Sequence, residues 1–274
     1  MRFYAIQPDP LLADYVRYFW VLENDLSTGE SYTHRTMASG CPELCFHYKG
    51  CFEELLPGGK VEKSFRTGIH GQSLGYKRFR IAESFGLFGA FLYPFAVPAL
   101  LGIPASAINN QMVDMTTLLG KSGEILEEKM MLAPNNKERA RILSAFLESK
   151  LARTEERELA GAGSSRIIPA IRQVVATRGR LPIQSLSDQY FLSNRQFTRN
   201  FLLYAGFSPK LFSRLLRFES ALEEYGNQDK SLTEIAYDCG YYDQSHFIHE
   251  FKEFSGHHPR HYFMGKAEGV EWKD

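Results

Sequence analysis

LTEIAYDCGYYDQSHFIHEFKEFSG, Leu232 to Gly256, sets a compact apolar pattern beside a run of hydrogen-bonding side chains. Ile235, Ala236, Cys239, Tyr241, Phe247 and Phe251 fall on the inner face of two short helices, and small Ala236 lets those helices cross closely. Gly240 supplies the turn between them, where a left-handed backbone is easiest for glycine. Gln244, Ser245, His246, Ile248, His249 and Lys252 are left outside on the second helix. A helix held by its inner face that presents amide, hydroxyl and imidazole groups suits a major groove, where base edges offer donors and acceptors.

The pattern occurs twice. SNRQFTRNFLLYAGFSPK (Ser193 to Lys210) aligns with DQSHFIHEFKEFSGHHPR (Asp243 to Arg260), so that Phe197 and Phe247, Phe201 and Phe251, Gly206 and Gly256, and Pro209 and Pro259 coincide at an offset of fifty. Upstream, with a one-residue slip, LSDQYFL (Leu186 to Leu192) pairs with IAYDCGY (Ile235 to Tyr241). Each copy reads as helix, tight turn and helix, the last opened by a capping residue, Ser193 or Asp243. The outward set of the first copy is Asn194, Arg195, Thr198 and Arg199, with the two arginines at i and i+4 on one face. Between the copies, SPKLFSRLLRFESALEEYG predicts a helix with Leu211, Leu215, Phe218, Leu222 and Tyr225 on one stripe. Its eighteen or so residues would span ~27 Å, near the ~34 Å repeat of B-DNA, so one chain could read two successive grooves. Arg166, Arg172, Arg178, Arg180, Arg195 and Arg199 precede Lys210 against one acid, Asp188, whereas Asp243, Glu250 and Glu253 flank the second motif.

On these residues the chain resembles the AraC/XylS family of bacterial transcription regulators. LTEIAYDCGYYDQSHFIHEFKEFSGHHP follows that family's Ile-Ala, Gly-aromatic, Ser-His-Phe, Phe and Gly-x-x-Pro pattern, and the likeness extends over residues 165–263. The resemblance implies DNA-contacting positions at Arg195, Thr198 and Arg199 in the first recognition helix and at Gln244, Ser245, His246 and His249 in the second. Three positions depart from the pattern: Phe191 stands at the turn glycine, Ser187 at the small alanine, and His249 where arginine is common, a weaker contact at neutral pH. ASGCPELCF, GAFLYPFAVPALLGIP and VDMTTLLG are more faintly similar to the sensor domains attached to such regulators, which implies a cupin-like barrel that binds an effector and helps dimerise.

The remaining chain fits an α+β protein of two domains. Its 274 residues, 44% hydrophobic and 14% aromatic, can bury one or two cores, and a small disulfide-stapled module is excluded. Small, flexible residues at ELAGAGSSR, Glu158 to Arg166, divide the chain near Gly163 into 1–163 and 164–274. In the first domain PLLADYVRYFWVLEN spaces Leu11, Leu12, Tyr15, Val16, Phe19 and Trp20 as an amphipathic helix, and NNKERARILSAFLESKLAR predicts a helix that closes the domain. ELCFHY and FRIAESFGLFGAFLY read as strands, giving a small β barrel or sandwich with flanking helices. Ser84 to Val113 carries no charge, but Pro94, Pro98 and Pro104 break it, so it predicts a buried strand over Phe85 to Tyr93, a turn and a short helix instead of a membrane span.

Lys+Arg and Asp+Glu balance at 32 each, so attraction to nucleic acid must come from a local patch. Cys41, Cys45, Cys51 and Cys239, without a signal-peptide layout, read as free thiols of a cytoplasmic protein. The sulfur and imidazole groups of His34, Cys41, Cys45, His47 and Cys51 raise structural zinc as a rival, but no CxxC knuckle is present, and strand alternation sends Cys45 and His47 to one face and Leu44, Phe46 and Tyr48 to the other. The compact His-x-His and Glu set of a cupin enzyme is also absent, so no catalysis, metal or cofactor is expected. A helical protein-interaction bundle, to which Glu250, Glu253 and the zero net charge lend some support, and a metal-binding cupin-like protein without DNA binding are the alternatives. The expected partner is double-stranded DNA, with no membrane; a small-molecule effector, RNA polymerase and a second copy of the chain stay open. His257, His258 and His261 read as solvated or capping residues, and the tail after Phe263 as loosely held unless Trp272 docks.

Overall fold

The computed structural model describes residues 1–158, 166–227 and 230–268, so both the break near Gly163 and the question of Trp272 docking fall outside the described residues. Ten strands come first: β1 (Arg2–Ile6), β2 (Val16–Asn24), β3 (Tyr32–Thr36), β4 (Glu43–Lys49), β5 (Glu53–Leu55), β6 (Val61–Lys63), β7 (Thr67–His70), β8 (Lys77–Ile81), β9 (Phe85–Leu92) and β10 (Met112–Asp114). They form an antiparallel six-stranded sheet in the order β1-β2-β9-β4-β7-β10 and a four-stranded sheet in the order β3-β8-β5-β6. Helices α1 (Ala96–Leu101), α2 (Met115–Leu119), α3 (Lys121–Leu132) and α4 (Asn136–Glu158) accompany the larger sheet.

The larger sheet is covered on both faces, which explains its composition. Phe19 and Val21 of β2, Leu44 and Phe46 of β4, and Phe88 and Ala90 of β9 pack with Leu126, Met130, Leu143 and Leu147 of α3 and α4. The alternate residues Trp20, Leu22, Cys45, Phe85 and Leu87 turn the other way and meet Tyr32, Phe79 and Ile81 of the smaller sheet. Gly89 is required here because a Cβ would strike the Trp20 indole. The strands ELCFHY and Phe85–Leu92, the short helix after the latter and the helix from Asn136 all form as expected.

PLLADYVRYFWVLEN is a correction. Residues 9–15 make a turn, with Leu12 and Ala13 N–H groups donating to the Asp9 carbonyl, and Val16–Asn24 is a strand paired with β1 and β9. A central strand buried on both faces shows a continuous apolar run, and such a run cannot be told from a buried helix by periodicity alone.

Among the described residues the C-terminal region holds only helices: α5 (Ile167–Ala176), α6 (Gln184–Gln189), α7 (Asn194–Ala205), α8 (Pro209–Leu222), α9 (Leu232–Asp238), α10 (Gln244–Ser255) and α11 (Pro259–Phe263). Helix α8 is 14 residues long, shorter than its sequence pattern suggested, and spans ~21 Å. Phe197, Phe201, Phe212, Phe218, Phe247, Phe251 and Phe254 make one aromatic core shared by both repeats. No described helix is long and apolar enough to cross a membrane.

Candidate nucleic-acid interface and sensor cavity

The two repeats close their turns with the same hydrogen bonds. In the first, Phe191 N–H donates to the Asp188 carbonyl at 3.1 Å and Leu192 N–H to Ser187 at 2.9 Å; in the second, Gly240 donates to Tyr237 and Tyr241 to Ala236, both at 2.9 Å. Gly240 has φ 80° and Phe191 φ 54°, so phenylalanine holds a left-handed backbone that ordinarily costs a side-chain-bearing residue ~1–2 kcal/mol. Its ring is 83% exposed and gains no packing in return. Ser187 is buried and its Oγ lies 2.7 Å from Asn194 Oδ1, tying α6 to α7 where alanine would leave a gap.

Helices α7 and α10 are both capped as their sequences predict. Ser193 forms a reciprocal capping box with Gln196, and Asp243 Oδ1 accepts from His246 N–H at 2.7 Å. Arg195, Thr198 and Arg199 are exposed on α7, and among the described residues neither guanidinium has a carboxylate partner. The other arginines of that region are engaged: Arg172 pairs with Asp14 at 2.6 Å, Arg178 with Glu223 at 3.0 Å, and Arg166 and Arg180 donate to the Phe191 and Asp238 carbonyls, each at 3.3 Å.

On α10, Ser245, His246 and His249 are exposed and Gln244 is half-buried. Ile248, expected outside, is half-buried against the aromatic core. His246 reaches inward as well, its Nε2 standing 3.0 Å from Glu250 Oε1. Glu250 is 2% exposed and also accepts from Arg214 Nε of α8 at 2.6 Å, while Arg214 Nη2 holds Glu253 at 3.0 Å. Glu250 is therefore withdrawn from the surface and shares Arg214 with Glu253, which stays exposed, so the acidic surface that the protein-interaction alternative drew on is reduced to Glu253 and Asp243. Sequence reading missed this network, although Glu250 continues the core stripe Phe247, Phe251 and Phe254 at helical spacing and so signals an inward carboxylate.

Between the two sheets lies a cavity of about 140 Å³ walled by Tyr18, Trp20, Phe52, Phe79, Leu87 and Phe91. His34, Glu43, Cys45, His47, Ser64 and His70 supply its polar groups. Cys45 and His47 share this face, as strand alternation predicts, and the four cysteines are free. Among the described residues no three His, Cys, Asp or Glu side chains are grouped to hold a metal ion. Burial pushes the Glu43 carboxyl up to about 8 and pulls the His34 and His47 imidazoles down to about 4. His70 is lowered to about 3 by burial, with smaller contributions from His47, Lys77 and His34. At neutral pH all three rings are uncharged and Glu43 is mostly protonated.

The cavity shares Tyr18, His34, Thr36, Glu43, His70 and Phe91 with a second cleft that opens between the sheets and the helical region. There the segment after β3 crosses to the helices: Ala38 N–H donates to the Phe254 carbonyl at 3.0 Å, and Gly40 N–H to Glu219 Oε1 at 2.8 Å. Gln72 Nε2 donates to the Ala205 carbonyl at 3.1 Å, and Asn109 to Gly206. The tail is not loose up to its last described residue, because Glu268 accepts two bonds from Arg78, at 2.9 and 2.6 Å, and one from Arg35 at 2.9 Å.

Comparison with known proteins gives two family matches in separate parts of the chain. Residues 186–264 match a helix-turn-helix domain and residues 4–114 match a domain of unknown function (DUF6597). The HTH-type transcriptional activator RhaS of Escherichia fergusonii is 30% identical over 88 residues, 32% of either chain. RhaS of Salmonella arizonae is 31% identical over 83 residues, 30% of either chain. This chain thus matches about a third of the length of these curated relatives. Among solved structures, ToxT from Vibrio cholerae aligns with 90% of this chain and 98% of its own at 12% identity and a TM-score of 0.49. The DNA-binding domain of AdpA in complex with a target DNA aligns with 36% of this chain and 91% of its own at 20% identity and a TM-score of 0.35.

Proposed function

We propose, from the premise that the C-terminal region is an AraC-type double helix-turn-helix domain, that this chain is a sequence-specific DNA-binding transcription regulator of two domains, 1–163 and 164–274. Helices α7 and α10 read successive major grooves, through Arg195, Thr198 and Arg199 in one and Gln244, Ser245, His246 and His249 in the other. The observation that carries the reading is the repeat itself: two capped helices on one aromatic core, each turning a polar face outward. The unpaired Arg195 and Arg199 supply phosphate or guanine contacts, whereas Arg172 and Arg178 are already paired with carboxylates.

The first domain regulates the second. Its cavity is the candidate effector site, and the cavity wall at His34 and Thr36 leads within a few residues to the contacts on Phe254 and Glu219. A ligand that shifts β3 thus acts on the surface that holds the DNA-binding helices.

Fluorescence anisotropy of a labelled duplex, titrated with the full chain at 50 and 200 mM salt, tests the DNA-binding reading. Release of counterions predicts at least about a tenfold loss of affinity at the higher salt. Affinity that is absent, or indifferent to salt, favours a protein partner for the helical surface instead.

A further inference from the structure

We propose that the cavity between the two sheets takes a small uncharged aromatic compound, a single ring carrying hydroxyl or amide groups. The proposal rests on reading the first domain as a sensor and specifies what it senses. The size follows from the volume, about 140 Å³, close to the ~150 Å³ of an apolar cavity that admits benzene. The ring follows from the walls, since Trp20, Phe52, Phe79 and Phe91 offer faces and edges for offset or edge-to-face contact.

The polar substituents follow from what the cavity leaves unpaired. His47 Nδ1, His70 Nε2 and Ser64 Oγ are shielded from solvent and have no hydrogen-bond partner in the protein, with His47 3% and Ser64 8% exposed. Buried polar groups are almost always satisfied, so three in one cavity mark places for a ligand's donors and acceptors. Absence of charge follows from the lining: the cavity itself includes no lysine or arginine to meet an anion, Arg17, Arg35 and Lys77 lining the adjoining cleft instead, and its one carboxyl, Glu43, is pushed up to about 8 by burial. A charged ligand would lose its hydration without gaining a counter-ion.

Isothermal titration of the full chain with resorcinol, benzoate and sorbitol tests the class. Resorcinol is expected to bind one site saturably, benzoate at least tenfold more weakly, and sorbitol not detectably. Leu22→Phe adds bulk to the wall and should abolish resorcinol binding. Ser64→Ala, which leaves the packing in place, should weaken it severalfold and covers the case in which the larger substitution does not fold. The proposal is overturned if benzoate or sorbitol matches resorcinol, if resorcinol does not bind at millimolar concentration, or if Ser64→Ala leaves its affinity unchanged. The salt-dependent DNA titration, run on the same preparation, separates the two readings: intact DNA binding with no resorcinol binding removes the ligand class and leaves the regulator.

Discussion

Replacing Arg214 with methionine is expected to destabilise the C-terminal region by about 3 kcal/mol, because it strips the guanidinium from a buried carboxylate. Glu250 sits among Phe247, Phe251 and Phe254 with 2% exposure, and Arg214 Nε meets it at 2.6 Å. His246 Nε2 stands 3.0 Å from the same carboxylate oxygen and carries a full charge only when protonated. Urea unfolding followed by circular dichroism measures the loss. The double variant Arg214→Met, Glu250→Met should recover most of it, since removing both partners of a buried pair is often nearly neutral. A single variant that loses less than about 1 kcal/mol would mean that the pair does not join α8 to α10.

The second large effect concerns binding. Arg199→Ala should weaken DNA affinity by about 1–3 kcal/mol if the guanidinium reads a base, and should reduce the salt slope by about one if it meets a phosphate. The control matters. Lys230 bridges Glu224 at 3.1 Å and Asp238 at 2.8 Å, so its removal disturbs the loop before α9 and does not serve as a neutral comparison. Lys137→Ala, exposed on α4, changes the same net charge away from the recognition helices and should leave affinity within about twofold. Equal losses for Arg199→Ala and Lys137→Ala remove Arg199 from the contact surface.

The helical half was legible because a repeat compares the chain with itself. Phe197 with Phe247 and Gly206 with Gly256 locate core and turn twice, and the slip of one residue upstream places Phe191 opposite Gly240. The matching left-handed φ values at those two positions show that the turn geometry is kept even where the glycine is not. The first domain was harder to read. Phe85–Leu92 was found because proline and glycine bound it, whereas Val16–Asn24, apolar on both faces, looked helical. Contacts between distant segments left little trace in local pattern. Glu219 meeting Gly40 and Glu268 bridging Arg35 and Arg78 join residues about 180 or more positions apart, and no spacing rule reaches that far. The cavity is of the same kind: His34 of the smaller sheet meets His47 and His70 of the larger one only when the two sheets close.

The most direct test of the account is selection of bound duplexes from a random pool by the full chain, followed by sequencing. Two helix-turn-helix motifs joined by a rigid α8 predict enriched sites with two boxes whose centres lie one helical turn, about 10–10.5 base pairs, apart. Inserting about five base pairs between the boxes should abolish the enrichment by turning one box to the far side of the duplex. A single enriched box whose affinity ignores the spacing, or no enrichment over the starting pool, would contradict the claim that one chain reads two successive grooves.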